Sequence, residues 1–241
     1  MKRVGFGMTM LAASAFGLSA LPSSADAASL TVKSTNFRNG HAIPQVYAFC
    51  VPAAQGHFAL GQDKNPELSW SKGPKGTQSY AIITVDVDVP KDFTNFNKEG
   101  KTLAVGMPRT DFYHWVLADI PATASEIPEA ADSDALTPHG KPPGPAKIGV
   151  RGINDYTGFM ASDEQMKGNY GGYDGPCPPW NDLRVHHYHF RVYALNVPSL
   201  NLTGAFNADA VEKAMKGHVL AKGEIVGLYS LNPPVAAKLK P

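Results

Sequence analysis

The sequence predicts a mainly β fold in one domain, with a single helix-strand unit near the C-terminus. Three observations carry that expectation. The 241 residues include 23 glycines and 20 prolines, about 18% of the chain against an average near 12%, and these residues punctuate strands with turns. Two long segments, 79–89 and 185–195, alternate with a period of two. Helical spacing stands out once, over Val211, Ala214, Met215 and Val219. Apolar residues make up 43% and charged residues 18%, enough apolar material for a full core and too much for global disorder. Lysine and arginine number 22, aspartate and glutamate 21, a formal charge of +1. With no basic excess or basic run, no nucleic-acid partner is expected.

The N-terminus reads as a leader. Lys2 and Arg3 precede an uncharged stretch over 4–21, and Ala25-Asp26-Ala27 offers a small-x-small cleavage site. This is the layout of a secretory signal peptide over 1–27, with 28–241 as one domain. The alternative is an uncleaved anchor helix, which Gly5, Gly7 and Gly17 weaken. No later stretch is long and apolar enough to cross a membrane. The expectation is an exported protein, periplasmic or secreted, with no span after cleavage. Export bears on the two cysteines, Cys50 and Cys177. In an oxidising compartment they read as one disulfide, and otherwise as two buried free thiols.

The elements follow in order. A short strand is expected at 30–32, a polar turn at 36–40, extended chain over 44–50 and irregular chain over 51–65. Leu68-Ser69-Trp70 is a strand closed by Gly73-Pro74-Lys75-Gly76. In 79–89, Ala81, Ile83, Val85, Val87 and Val89 share one face, and Tyr80, Ile82, Thr84, Asp86 and Asp88 the other. A polar loop over 91–111 leads into a strand at 112–120, ended by Pro121. Residues 122–172 show little regular pattern. In 185–195, Tyr188, Phe190, Val192 and Ala194 share a face. Asn207 reads as an N-cap with Asp209 in the first turn, and Gly223 as the C-terminal stop. A last strand is expected at 225–229.

Several residue types could carry chemistry. Asp86 and Asp88 would lie roughly 6.6 Å apart on one face of a strand, a placement disfavoured for aspartate unless the strand end is solvated or functional. His114 shares an apolar face with Phe112, Val116 and Ala118, as a core histidine would. In His186-His187-Tyr188-His189, His186 points with Tyr188 and Phe190, and His187 with His189. The second pair invites a metal, but no nearby cysteine or carboxylate completes a set, and no metal or other cofactor is expected. In Tyr173-Asp174-Gly175-Pro176-Cys177-Pro178-Pro179 the prolines remove donors, so the N–H groups left at Gly175 and Cys177 have a defined direction useful for an anion.

These pieces occur together in an order that resembles the phosphatidylethanolamine-binding protein family, in its bacterial Raf-kinase-inhibitor-like branch. The resemblance rests on 80–90, on His114-Trp115 through Ile120-Pro121, on Gly175-Pro-Cys-Pro-Pro, and on His186-x-Tyr188-x-Phe190. It also takes in Pro66-x-Leu68-Ser-Trp70, Gly76-Thr-x-Ser79-Tyr80 and Gly152-x-Asn154-Asp155-Tyr156. It implies two packed antiparallel sheets, a β-sandwich with a small pocket at one end. It assigns ligand contacts to Asp86, Asp88, His114, Gly175, Cys177, Pro178, Pro179, His186 and Tyr188. In the family these line a pocket for phosphate, acetate or a phosphorylethanolamine headgroup. Similarity to exported members also favours pairing Cys50 with Cys177. Anion affinity would then rise on acidification, as His114 or His186 charges.

The sequence departs from the family pattern at Asp86-Val87-Asp88, where the middle residue is ordinarily proline, at His187 and at Asp119. Three stretches are longer than usual: 51–64, 91–111 and 160–171. The implied function is a non-enzymatic binding protein for a small anionic or phospho-headgroup ligand. A second reading is an exported inhibitor that meets a protease or kinase through the loops around the pocket. A third is a hydrolase using Asp86 or Asp88 with His114 or His186 as acid and base, against which no activated nucleophile is evident.

Overall fold

The computed structural model describes Met1 and residues 28–241; the rest of the expected leader lies outside the described residues. Short pieces come first: β1 (Ala28–Ser29), β2 (Val32–Lys33), β3 (His41–Ala42), β4 (Cys50–Pro52), β5 (Phe58–Leu60) and β6 (Leu68–Trp70). The long strands β7 (Ser79–Pro90) and β8 (Arg109–Pro121) follow, then the short β9 (Glu126–Ile127), β10 (Gly144–Pro145) and β11 (Val150–Arg151). The one-turn helix α1 (Tyr156–Phe159) and β12 (Gly172–Tyr173) precede β13 (His186–Leu195), α2 (Ala208–Met215), β14 (Val219–Tyr229) and α3 (Pro233–Ala236).

The central sheet runs β1-β14-β13-β7-β8-β11-β10, with β3 also on β14 and β12 also on β8. Its long strands are antiparallel, whereas β1 and β3 lie parallel to β14. A second, antiparallel sheet, β2-β6-β9, covers one face. Leu68, Trp70 and Ile127 from it meet Tyr80, Ile82, Leu117, Ile120 and Phe190 from the central sheet in the main core. The opposite face is covered by α2, whose Ala208, Val211 and Met215 pack on Ala81, Ile83, Val116 and Ala118. That is why both faces of β7 are apolar.

Several sequence expectations need correction. The 44–50 segment is not simply extended: Gln45–Tyr47 forms a 3-10 turn. The 51–65 segment is not wholly irregular, because β4 and β5 pair as a hairpin. Asn207 caps α2, its side chain accepting the Ala210 N–H at 3.1 Å. The helix ends at Met215, before Val219, and the left-handed glycine that follows is Gly217, with φ 83°. Gly223 instead sits within β14, where a Cβ would run into the Leu30 carbonyl.

The long strands also break their alternation. Between β7 and β8, Thr84 pairs with Trp115 and Val85 with Tyr113, so His114 is an extra residue in β8. Asp86 pairs with Phe112 and Val89 with Thr110, which leaves one extra residue in β7 between Asp86 and Val89. Such bulges re-aim side chains at sheet ends. His114 therefore keeps the face of Phe112 but not that of Val116 and Ala118, which belong to the α2 side.

Candidate functional site

A small cavity opens where β7, β8 and β13 meet α1, the 91–108 loop and the turn after β12. Asp86, His114 and Tyr188 form its buried end, and Cys177, Pro178 and Pro179 one side. Val89, Phe112 and Tyr156 continue the wall, and Phe93, Phe96 and Phe159 complete it toward solvent. Phe112 stands nearly perpendicular to Tyr156 at 80° and to Phe159 at 84°, so the rings enclose a box rather than form a stack.

The polar groups at the buried end have defined roles. His114 Nδ1 lies 2.8 Å from the Asp174 carbonyl, so Nδ1 carries the proton and Nε2 is the ring's acceptor when neutral. Burial holds its pKa below the ordinary histidine value, against the pull of Asp86. One Asp86 carboxylate oxygen accepts the Asp88 N–H at 2.9 Å; the other lies 2.6 Å from His186 Nδ1. The Tyr188 hydroxyl is buried with no hydrogen-bond partner among the described residues.

Behind Asp86 runs a chain of alternating charges. His186 Nε2 is 3.2 Å from Asp182, which takes two bonds from Arg109 at 2.5 and 3.1 Å. Burial works against charging His186, but Asp86 and Asp182 outweigh it and lift its pKa to about 9. It is a cation at neutral pH. Arg109 also donates to the carbonyls of Asp88 and Ala104, which ties the loop to the sheet end. Asp88 binds Arg184 and takes the His187 N–H at 3.0 Å and its Nδ1 at 2.7 Å. Burial disfavours its charge, yet His187 and Arg184 hold its pKa down at about 2.

The turn after β12 is held from behind. Gly175 donates its N–H to Asp63 at 2.7 Å, and a Cβ there would run into the Tyr47 carbonyl, so only glycine fits. Asp174 binds Lys141 at 2.7 Å and Asn154 at 2.7 Å. Burial and the nearby Asp174 charge push the Asp63 carboxyl well up. Cys50 and Cys177 form a disulfide with a Cα separation of 4.7 Å, and the Cys50 N–H donates to the Pro176 carbonyl at 3.0 Å. The turn is thus clamped to β4.

The structure divides the sequence candidates. Asp86, His114, Cys177, Pro178, Pro179 and Tyr188 line the cavity. Asp88, Gly175 and His186 do not. The β7 bulge sends Val89, not Asp88, into the cavity after Asp86. The Gly175 N–H is already bound to Asp63, and His186 lies behind Asp86. His187 and His189 bind different carboxylates, Asp88 and Glu224, and no metal-holding cluster occurs among the described residues. Sequence reasoning missed the aromatic wall and the partners Asp182, Arg109 and Arg184. Phe93-x-x-Phe96 inside an otherwise polar loop was the available signal for the wall.

A β-sandwich with a loop-lined cavity at one end of its central sheet defines the class of fold. The chain belongs to the phosphatidylethanolamine-binding protein family, whose sequence profile matches residues 33–230. It is 33% identical to a UPF0098 protein of Aquifex aeolicus over 207 residues, covering 86% of this chain and 91% of the relative. It is 27% identical to the UPF0098 protein YbcL of Escherichia coli, over 86% of this chain and 91% of that one. The crystal structure of E. coli YbcL, described as a new member of the mammalian PEBP family, superposes with a TM-score of 0.60 at 24% identity, covering 84% of this chain and 99% of that one. A putative homolog from Chlamydia trachomatis superposes with a TM-score of 0.56 at 24% identity, over 84% and 97% of the two chains. These two superpositions bear on the fold alone. No helix among the described residues is long and apolar enough to cross a membrane.

Proposed function

We propose that this protein is a non-catalytic binding protein, exported from the cytosol, whose cavity takes a small phosphorylethanolamine-like headgroup. The observation that carries the reading is the buried Tyr188 hydroxyl, unpartnered at the closed end of the cavity. An unpaired buried polar group costs about 1–3 kcal/mol, and a ligand oxygen accepting its O–H removes that cost. The Cys50–Cys177 disulfide fits an oxidising compartment.

A hydrolase reading has less support. His186 is already a cation and does not line the cavity. Asp86 is engaged by His186 and the Asp88 N–H. A partner-binding role at the cavity mouth is the second reading. It is favoured by Phe93 and Phe159, which remain 45% and 43% exposed at the rim.

Calorimetric titration of the oxidised protein with phosphorylethanolamine tests the first reading. The expected result is one saturable site, weakened about tenfold in Tyr188→Phe, the fold-change of losing one hydrogen bond to a buried hydroxyl. An absence of heat with a folded wild type would overturn it.

A further inference from the structure

Away from the cavity, behind the turn that follows β12, three charged side chains are sealed into the core. Asp63 and Asp174 are 0% exposed and Lys141 7%. Asp63 lies in the stretch after β5, Lys141 in the chain before β10, and Asp174 directly after β12, so folding alone brings them together. Lys141 Nζ is 2.7 Å from Asp174 Oδ1 and 4.0 Å from Asp63 Oδ2. Asp174 Oδ2 accepts from Asn154 Nδ2 at 2.7 Å, and Asp63 Oδ1 from the Gly175 N–H at 2.7 Å. Asp63 Oδ2 is buried with no hydrogen-bond partner among the described residues.

The charges of this cluster do not balance. Two carboxylates face one ammonium, and no other cationic side chain pairs with either among the described residues. A buried uncompensated charge costs several kcal/mol, so the cluster retains one further proton. Asp63 is its holder, because burial and the Asp174 charge both favour the neutral acid there. Tyr156, Tyr170 and Tyr173 stand close to both carboxyl groups. Their hydroxyls are spent on the carbonyls of Gly175, Met166 and Tyr47, so none serves the acids.

The same number of protons permits a second arrangement. If the Lys141 proton passes to Asp174, a neutral amine faces a neutral carboxyl group, with the Asp63 acid beside them. Exclusion of water removes the hydration that favours the ion pair. A desolvated lysine amine is a nucleophile, and holding it against its target removes the entropic cost of their encounter.

We propose that Lys141 and Asp174 condense into an intramolecular isopeptide bond, with Asp63 relaying the proton. The Nζ lone pair attacks Asp174 Cγ, and the Asn154 amide donates to Oδ2, where negative charge develops. Oδ1 leaves as water, carrying its own proton and one from Asp63, and the amine nitrogen returns a proton to Asp63. A C–N bond forms, a C–O bond breaks, one water is released, and nothing is oxidised or reduced. The product ties the chain before β10 to the residue beside Gly175. With the Cys50–Cys177 disulfide, the turn is then held by two covalent links, of which a reductant opens only one.

The intact mass of the folded full chain, measured after denaturation and reduction, tests the proposal. The expected value is one water below the mass calculated from the chain's own N-terminus. A proteolytic digest is expected to yield a branched pair of peptides joined at Lys141 and Asp174. Lys141→Arg keeps the charge and Asp63→Asn the shape, and both variants should show the full calculated mass. A full mass in the wild type overturns the proposal. So does a missing water confined to a single unbranched peptide at Asp174-Gly175, which is the mark of a succinimide. A branched pair that persists in Asp63→Asn overturns the relay assigned to Asp63.

Discussion

Replacing the Cys50–Cys177 disulfide with a pair of alanines should lower stability by about 5 kcal/mol while leaving the fold in place. The bond closes a loop of 127 residues. In the loop-closure treatment, tying points that far apart removes about 16 cal/mol/K from the unfolded chain, which at 25 °C is about 5 kcal/mol. The folded state changes less, because other links join the same two segments. The Cys50 N–H donates to the Pro176 carbonyl at 3.0 Å, and the Tyr173 hydroxyl to the Tyr47 carbonyl at 2.6 Å. Tyr156 holds the turn from its other side through the Gly175 carbonyl. The penalty therefore falls on the unfolded chain, which expands once uncrosslinked. Urea unfolding at pH 7 should show a lower midpoint and a slightly larger m-value, with native near-ultraviolet dichroism before the transition. A loss below about 1 kcal/mol would refute the loop-entropy argument. Loss of the native signal in the absence of urea would refute the claim that the hydrogen bonds suffice to hold the turn.

Three further outcomes follow from the packing and the charges. His186 has a folded pKa of about 9 against 6.5 unfolded; the stability this contributes is complete below pH 6.5 and is lost as pH rises through 9. The loss is up to about 3 kcal/mol, and an imidazole that titrates near 6.5 by NMR would contradict it. Gly175→Ala drives a Cβ into the Tyr47 backbone carbonyl and should cost about 2–3 kcal/mol as overpacking; an unchanged melting temperature would show that the turn relaxes freely. Asn207→Ala removes the cap on the Ala210 N–H and should cost about 1 kcal/mol, read as a shift in urea midpoint.

The sheet was legible because successive residues at the start of β7 are apolar toward opposite cores: Tyr80 and Ile82 face one, Ala81 and Ile83 the other. The α2 cap was legible because a single side chain decides it. The bulges were not. An extra residue at His114, or between Asp86 and Val89, leaves no mark in a run of apolar and acidic residues, since it is set by pairing with a strand distant in sequence. For that reason Asp86 and His114 reach the cavity, whereas Asp88 does not share the face that the pleat predicts for it. Gly175 was legible as a special position, but for a directed N–H; its observed constraint is the close approach of Tyr47, a contact spanning more than a hundred residues. Arg109, Arg184 and Asp182 carry no motif, and their importance arises only when the loops bring them to a buried histidine.

The balance of charges at the sheet end explains how a carboxylate can stand at the closed end of an apolar-walled cavity. Alone there, the buried Asp86 carboxylate would carry a desolvation cost of several kcal/mol. His186 offsets that cost, but a buried histidine cation needs a second acid, which Asp182 supplies, and Asp182 is in turn met by Arg109 near the surface. Each buried charge is thus compensated by the next until the series reaches the loop. The loop that contributes Phe93 and Phe96 to the wall is anchored by the same Arg109, through the Ala104 carbonyl. The polar end and the aromatic wall are therefore one coupled unit: freeing the loop would both unseat the rings and uncover Asp182, so ligand affinity and the His186 pKa should change together in any variant that loosens residues 91–108.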